Sequence, residues 1–492
     1  MRRAGFLAAF VAVASVIGCA GAGAKPAATR TTWLSPTGND ATCARGVQSR
    51  PCATFDRAFH LSTAGDVVEV EPGTYPATDP GADATRINDN GPVAAPGVKF
   101  VCAGGDVLFS SRWFTIKARG VTIDGSCFRF HTLRFGEPGD TTITAQHIVI
   151  DGVHMENFIA DGPDDVQIRD SDIGPSVACY PTGTQGTGQD GGPISPAMWC
   201  DPSNPLQAFY VTRGKTDSYE NYIHPNSGRQ STNISLIDDR IHGQQTKDAF
   251  NLHVGGLLLW QGATDANIVF RGDRWDGNAI YDILAQSAAG VTLAGNTFGA
   301  PVEPLSNDPS GTQETLPQFA DVTYKTDTPL RDWSVRRNSF AHGFRPNDDA
   351  NPAMTYSNVD VTGNIMPAMG CASGSPGITY DDNWLTTGRC GTNSRTAAPG
   401  YLVQAGRLVA APGAADLVRS VFHLAATGAG PAAIARRVRK QLTGKERARW
   451  TSARVRQVIA DPIYLGGQFG PPGAHPRLVM PKTWRLAQKA LG

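Results

Sequence analysis

The segment VTLAGNTF at residues 291–298 sets the reading of the whole chain. Val291 and Leu293 flank one polar residue, so in an extended strand they point to the same side. Asn296 follows after two residues, and Phe298 after one more. The pattern returns as VTIDGSCF at 121–128, VQIRDSDI at 166–173, ISLIDDRI at 234–241 and IVFRGDRW at 268–275. It continues as WSVRRNSF at 333–340, VDVTGNIM at 359–366 and ITYDDNWL at 378–385. IVIDGVHM at 148–155 keeps the apolar positions, with Val153 in the polar slot. Each copy is a strand and a turn too small to bury its own apolar side, so it gains stability only by stacking on neighbours. Several spacings fall between 18 and 27 residues, which suits one coil of a right-handed parallel β-helix. Inward aliphatic stacks are expected from Val121/Ile123, Ile234/Leu236 and Val291/Leu293. Asp239, Asp273, Asn296, Asn338, Asn364 and Asn383 are expected to align at one turn, where their side chains satisfy backbone groups from rung to rung.

The opening of the repeat region carries a family resemblance. WLSPTGND (33–40), RPCATFDRAF (50–59) and AGDVVEVEPGTYP (64–76) resemble the N-terminal cap and first coils of secreted pectate-lyase-like and polygalacturonase-like β-helix proteins. The resemblance covers residues 31–390 and is one of architecture, which does not fix function. It implies a polysaccharide lyase, a glycoside hydrolase or a carbohydrate-binding protein, although neither enzyme signature is complete. Residues 174–232 interrupt the repeat by more than one coil and are read as an inserted loop.

Charge divides the chain. From residue 401 onward there are 15 Lys and Arg against 3 Asp and Glu, leaving 29 against 41 in the first 400 residues, although the total is neutral. Such asymmetry points to different partners for the two parts. The N-terminus joins Arg2 and Arg3 to a twelve-residue apolar run from Phe6 to Ile17, too short to span a bilayer and characteristic of a signal peptide over residues 1–24. Two processing routes stay open. VIGC (16–19) resembles a lipobox, in which Cys19 is lipidated and provides the only membrane anchor; AGA (22–24) is a small-residue cleavage site. Either one predicts an extracellular or cell-surface protein, read as a monomer. With Cys19 set aside, the other eight cysteines suit neighbouring disulfides 43–52, 102–127, 179–200 and 371–390, with free buried thiols as the alternative.

Candidate chemistry comes from outward positions of the coils. Asp124, Asp151 and Arg169 each stand three residues after the first apolar position of a copy, followed by Ile237 and Arg271. Stacked directly, Asp124 and Asp151 lie one strand spacing apart, about 5 Å. They either share a hard cation such as calcium in a catalytic site with Arg169, or belong to a solvated charge column. Trp199, Tyr210 and Tyr222 in the long loop, together with His224, Trp260 and Asp265, either form a carbohydrate-binding platform or pack the loop's own core.

Residues 391–399 read as a linker, and 400–492 change character. GYLVQAGRLVAAPGAADLVRSVFHLAATGAGPAAIARRVRK (400–440), RWTSARVRQVIADPIYLGG (449–467) and HPRLVMPKTWRLAQKAL (475–491) have helical apolar spacing. Pro431 suits a helix first turn, Thr451 an N-cap, and Asp461-Pro462 a stop. This block resembles the recombinase domain of large serine recombinases, which implies a small all-α, helix-turn-helix-like domain. Carried over by position, Arg436, Arg437, Arg439, Lys440, Arg449, Arg454 and Arg456 become contacts to DNA or another polyanion. The resolvase-type catalytic domain expected before this block is replaced by the β-helix, so the chain is not an autonomous recombinase. Three function classes follow: a carbohydrate-active enzyme, a non-enzymatic surface binding protein, and a DNA-binding protein related to recombinases.

Overall fold

Left-handed residues bracket the repeated strand on both sides and decide where it begins and ends. In the computed structural model, Gly120, His147, Asp165, Asn233, Asn267, Gly290, Asp332, Asn358 and Gly377 stand immediately before the first inward residue of a copy, with φ between 51° and 83°. Gly152, Asp170, Asp238, Gly272, Gly295, Arg337, Gly363 and Asp382 stand immediately before the ladder position, with φ between 47° and 77°. Gly, Asn and Asp dominate both columns because they adopt this conformation at least cost. The structure describes residues 30–88, 97–139, 145–187, 193–208, 211, 221–225, 229–247, 255–260, 265–279, 281–286, 288–300, 302, 321–324, 329–347, 354–367, 375–386, 398–404 and 407–491.

The strands form three parallel ladders. Face A holds twelve, from Thr31–Leu34 to Ile378–Asp381, each hydrogen-bonded to the next copy in sequence. Face B runs from Gly73–Tyr75 to Trp384–Leu385, and face C from Ala84–Asn88 to Phe344–Arg345. The long strands Phe128–Phe135 and His154–Asp161 pass through both B and C. This is a parallel β-helix, with the predicted inward residues Val121, Ile123, Ile234, Leu236, Val291 and Leu293 fully buried in one continuous core.

The polar column runs up one turn as expected. Backbone N–H groups of Asp239, Asp273, Asn296, Asn338 and Asn364 donate to the side-chain oxygen one rung on, at 2.8–3.0 Å. Each Asn also sends its Nδ2 to a carbonyl of the preceding rung, those of Phe270, Leu293, Val335 and Val361, at 2.8–3.0 Å. At the lower end, Ser171 N–H donates to Asp239 Oδ1 at 2.8 Å.

The insertion is shorter than its sequence outline. Ser176–Ala178 pairs with Gln244–Thr246, and Asn221–His224 returns as a regular face C strand. The departure from the coil therefore falls within residues 179–220, stapled at its base by Cys179–Cys200. Cys43–Cys52 and Cys102–Cys127 are also bonded, while Cys371 and Cys390 lie outside the described residues, as do Cys19 and the 1–24 segment.

Helix α1 (Phe55–Leu61) closes the N-terminal end. Thr54 caps it, and Asp40 accepts the Ala53 and Thr54 N–H groups at 2.7 and 3.0 Å. Its Phe55 ring packs on Tyr75, Phe100, Phe109 and Phe114 at centroid distances of 5.0–5.4 Å. The C-terminal region opens with an antiparallel hairpin, Tyr401–Gln404 with Arg407–Ala410, which its alternating side chains allow but its helical composition hides. Helices follow: α2 (Ala414–Ala426), α3 (Pro431–Lys440), α4 (Gly444–Arg449), α5 (Ser452–Ala460) and α6 (Pro481–Leu491). Pro431 begins α3, Thr451 caps α5 through the Arg454 N–H at 3.1 Å, and Asp461 ends it.

The ladder contains a chemical mismatch. Asp273, like Asp239, occupies a ladder slot that Asn holds in the rungs beyond, and it is fully buried. A carboxyl group there can ionise, whereas an amide cannot. Burial pushes Asp273 upward, and Asp239 beside it up to about 8. The folded state therefore holds protons that the unfolded chain, titrating near 3.8, releases first, and stability falls as pH rises from about 4 towards 8. Asp273→Asn removes one buried ionisable group and should flatten this slope between pH 5 and 8, raising stability at pH 8 by roughly 1–3 kcal/mol in urea unfolding.

Candidate functional site

The register expected for Asp124, Asp151 and Arg169 on face A is present, with Asp124 opposite Asp151 and Asp151 opposite Arg169. Both carboxylates have cationic partners. Lys99 Nζ pairs with Asp124 Oδ2, and Arg169 donates from Nε and Nη2 to Asp151 Oδ2 at 2.9 and 2.7 Å. That geometry matches the charge-column alternative. Among the described residues, the one grouping of three His, Cys, Asp or Glu close enough to share an ion is Asp40, Cys43 and Cys52, where both sulfurs are already in a disulfide.

A different outward surface gathers more chemistry. On face C, Arg134, Ile159, Tyr222 and Leu258 occupy one column of register. Two residues along, Asp161 stands opposite His224, with Trp260 next after the Ile223–Leu259 pair. Arg134 Nε donates to Asp161, and His224 Nε2 lies 2.7 Å from the other oxygen of the same carboxylate. The guanidinium carbons of Arg112 and Arg134 sit 4.4 and 5.1 Å from the Trp113 ring centroid, within cation–π range. Tyr222 meets His224 edge-on at 5.9 Å, and Trp260 is 52 % exposed. Glu137 adds Arg86 and Lys117 to the same surface, at 2.7 and 2.9 Å.

Burial by itself would raise Asp161 and lower His224. Their mutual hydrogen bond and charge, with Arg134 beside Asp161, reverse both, so Asp161 lies below and His224 above its ordinary value. His224 Nδ1 is 2.9 Å from the Pro225 carbonyl, so both ring nitrogens face acceptors, which favours the imidazolium. Glu137 is likewise held down: burial raises it, but Lys117, Arg86 and Arg134 outweigh that.

Around the corner on face B, the Asp172 carboxylate lies between His154 Nδ1 at 3.2 Å and His242 Nε2 at 3.1 Å. His131 and Glu156, on the same two long strands as Arg134 and Asp161, are 2.8 Å apart. Burial is the largest influence on His242 and leaves it below the ordinary histidine value despite Asp172.

Of the carbohydrate-binding candidates, Tyr222 and Trp260 come onto one face. Trp199 stays in the stapled loop with its indole N–H on the Thr184 carbonyl, 3.1 Å away. Tyr210 lies outside the described residues, and Asp265 is placed in its strand by backbone only. Sequence reasoning missed Trp113, Arg134 and Asp161 because their copies lack the Asn-turn signature. The available signal was position: Asp161 ends one long strand and Arg134 is next to last in the other.

In the C-terminal region Arg436, Arg437, Arg439, Lys440, Arg449 and Arg456 are exposed and Arg454 is half-buried, spread over α3, α4 and α5. A cavity of about 1070 Å³ beside them is lined by Tyr401, Leu417, Leu442, Glu446, Trp450 and Arg454, among others.

Residues 412–492 match the Recombinase family model. Among solved structures the chain is similar to the pectate lyase Pel9A (12% identity, 76% of this chain and 82% of that one, TM-score 0.35). It is also similar to a rhamnogalacturonan lyase (13% identity, 75% and 87%, TM-score 0.35). No curated protein matches the chain.

The Asp161–His224 pair has a direct test. Its contribution from His224 is complete below about 6.5 and fades as pH rises through the elevated value, while that from Asp161 is present above about 3.8 and fades in acid. The His224 ring proton signal in NMR should therefore titrate above 6.5, and Asp161→Asn should bring that titration below it.

Proposed function

We propose that this is an exported protein whose β-helix binds an acidic polysaccharide along the corner of faces B and C. The row of Trp113, Arg134, Asp161–His224, Tyr222 and Trp260 carries this reading. Rungs about 4.8 Å apart repeat a binding element at the scale of an extended polymer. Aromatic faces suit the apolar sides of sugar rings, and fixed guanidinium groups suit carboxylates. Asp161 serves the row by holding Arg134 and His224 in place, while Arg112 sets a second guanidinium against Trp113. Three disulfides accord with an oxidising compartment. Among the described residues no helix is long and apolar enough to cross a membrane.

Turnover, where it occurs, places His242 as general base. Burial shifts His242 towards its neutral form, which Asp172 orients and which can accept a proton, whereas Asp161 shifts His224 towards the form that cannot. Calcium across Asp124 and Asp151 is the less favoured site, since it must displace Lys99 and Arg169. Calorimetry of the full chain with a polyuronate and with a neutral polysaccharide of equal length tests the reading. The polyuronate should bind in a salt-sensitive manner, and Arg134→Ala and Trp113→Ala should each weaken it roughly tenfold. His242→Gln should retain binding and remove any product. Equal affinity for the neutral polymer would refute the acidic class.

A second reading applies to residues 412–492, where the family match and seven basic side chains on α3–α5 favour a polyanion. Duplex DNA and the polyuronate should compete for it. A DNA reader keeps a duplex preference that Arg454→Ala with Arg456→Ala abolishes, whereas a basic patch loses both ligands alike.

A further inference from the structure

A parallel β-helix has an unfinished end wherever its last coil stops. Among the described residues, Ile378–Asp381 and Trp384–Leu385 each pair on one side only. An uncovered strand edge is a template for pairing with another chain. Trp384 and Leu385 are nevertheless buried, at 2 % and 0 % exposure, although no further coil lies beyond them among the described residues.

The cover comes from the C-terminal region. Phe469 and Tyr401 meet the Trp384 ring at centroid distances of 5.8 and 6.3 Å, both close to edge-on. The Gly470 N–H donates to the Gly363 carbonyl at 3.0 Å, which ties the module's loop to the turn column of the coil. Gly470 has φ of 66°, and a Cβ there would stand 2.8 Å from Ile365 Cδ1. Ile365 and Trp384 belong to the apolar cluster that also holds Phe422 and Ile459 of the helices. At the other end α1 does the same with Phe55.

We propose that the recombinase-like module has a second function in this chain: it is the C-terminal cap of the β-helix. Its docking surface is Tyr401 with the loop around Phe469 and Gly470, while the basic residues of α3 and Arg456 of α5 remain exposed and make none of these contacts. Capping and polyanion binding therefore use different residues and are separable.

Hydrogen exchange and light scattering on the full chain test this. Phe469→Ala should speed exchange roughly tenfold or more in Tyr356–Thr362 and Ile378–Asp381 and produce concentration-dependent oligomers. Trp384→Ala, on the coil side of the contact, should do the same, and the two together should add little to either. Phe469→Leu, which keeps an apolar side chain, should show a smaller effect in the same amides if Phe469→Ala unfolds the protein. Arg454→Ala with Arg456→Ala should leave the last coil unchanged. Loosening confined to the helices in both Phe469 variants, with the last coil protected and monomeric, would overturn the proposal, as would full additivity of Phe469→Ala and Trp384→Ala.

Discussion

The column of Asp and Asn side chains at the turn after face A is the constraint on which the rest of the molecule depends. A chain that turns this often exposes backbone N–H and C=O groups at every corner, and a buried corner cannot leave them unpaired. One side chain per rung answers both needs, accepting from the N–H of the preceding rung and donating to a carbonyl there. The geometry works only with a left-handed residue just before the ladder position. Arg337 holds φ of 55° where the other rungs use Gly or Asp, a conformation costing a residue with a Cβ about 1–2 kcal/mol. The ladder bonds of Asn338 on either side offset that cost.

Because inward positions are committed to the core and turn positions to the ladder, chemistry is left to outward positions. There the rung spacing brings residues distant in sequence into contact. Arg134, Asp161 and His224 span ninety residues of chain yet share one carboxylate. The consequence is a surface whose protonation is set by neighbours on adjacent coils: Asp161 shifts His224 towards its charged form, while burial shifts His242 towards its neutral one.

The ends of the helix impose the remaining requirement. Repeats that bury themselves against neighbours leave the first and last members incomplete. A short amphipathic helix seals the first coil. A module matching the Recombinase family model lies against the last, through aromatic and glycine contacts. This relation accounts for how a basic helical block fits an otherwise acidic β protein without assigning it catalysis.

Periodicity alone determined the parallel coils, the inward stacks and the polar ladder, because each depends on residue type repeated at fixed intervals. The caps at Thr54, Pro431 and Thr451 follow local rules in the same way, although Thr54 emerged only from the structure. Sequence also aligned Asp124, Asp151 and Arg169 correctly, yet it could not show that Lys99 and Arg169 already engage those carboxylates, since side-chain pairing crosses coils. It overlooked the second left-handed column, where His147 and Asp332 hide among ordinary polar residues. It placed Tyr222 in a loop, although that residue returns as a face C strand beside Trp260. The Arg134–Asp161–His224 cluster and the seating of Phe469 on Trp384 were decided only by tertiary structure. Their partners are brought together by the number of residues in each intervening coil and loop, and irregular segments such as 179–220 carry no periodic signal that fixes the register on their far side.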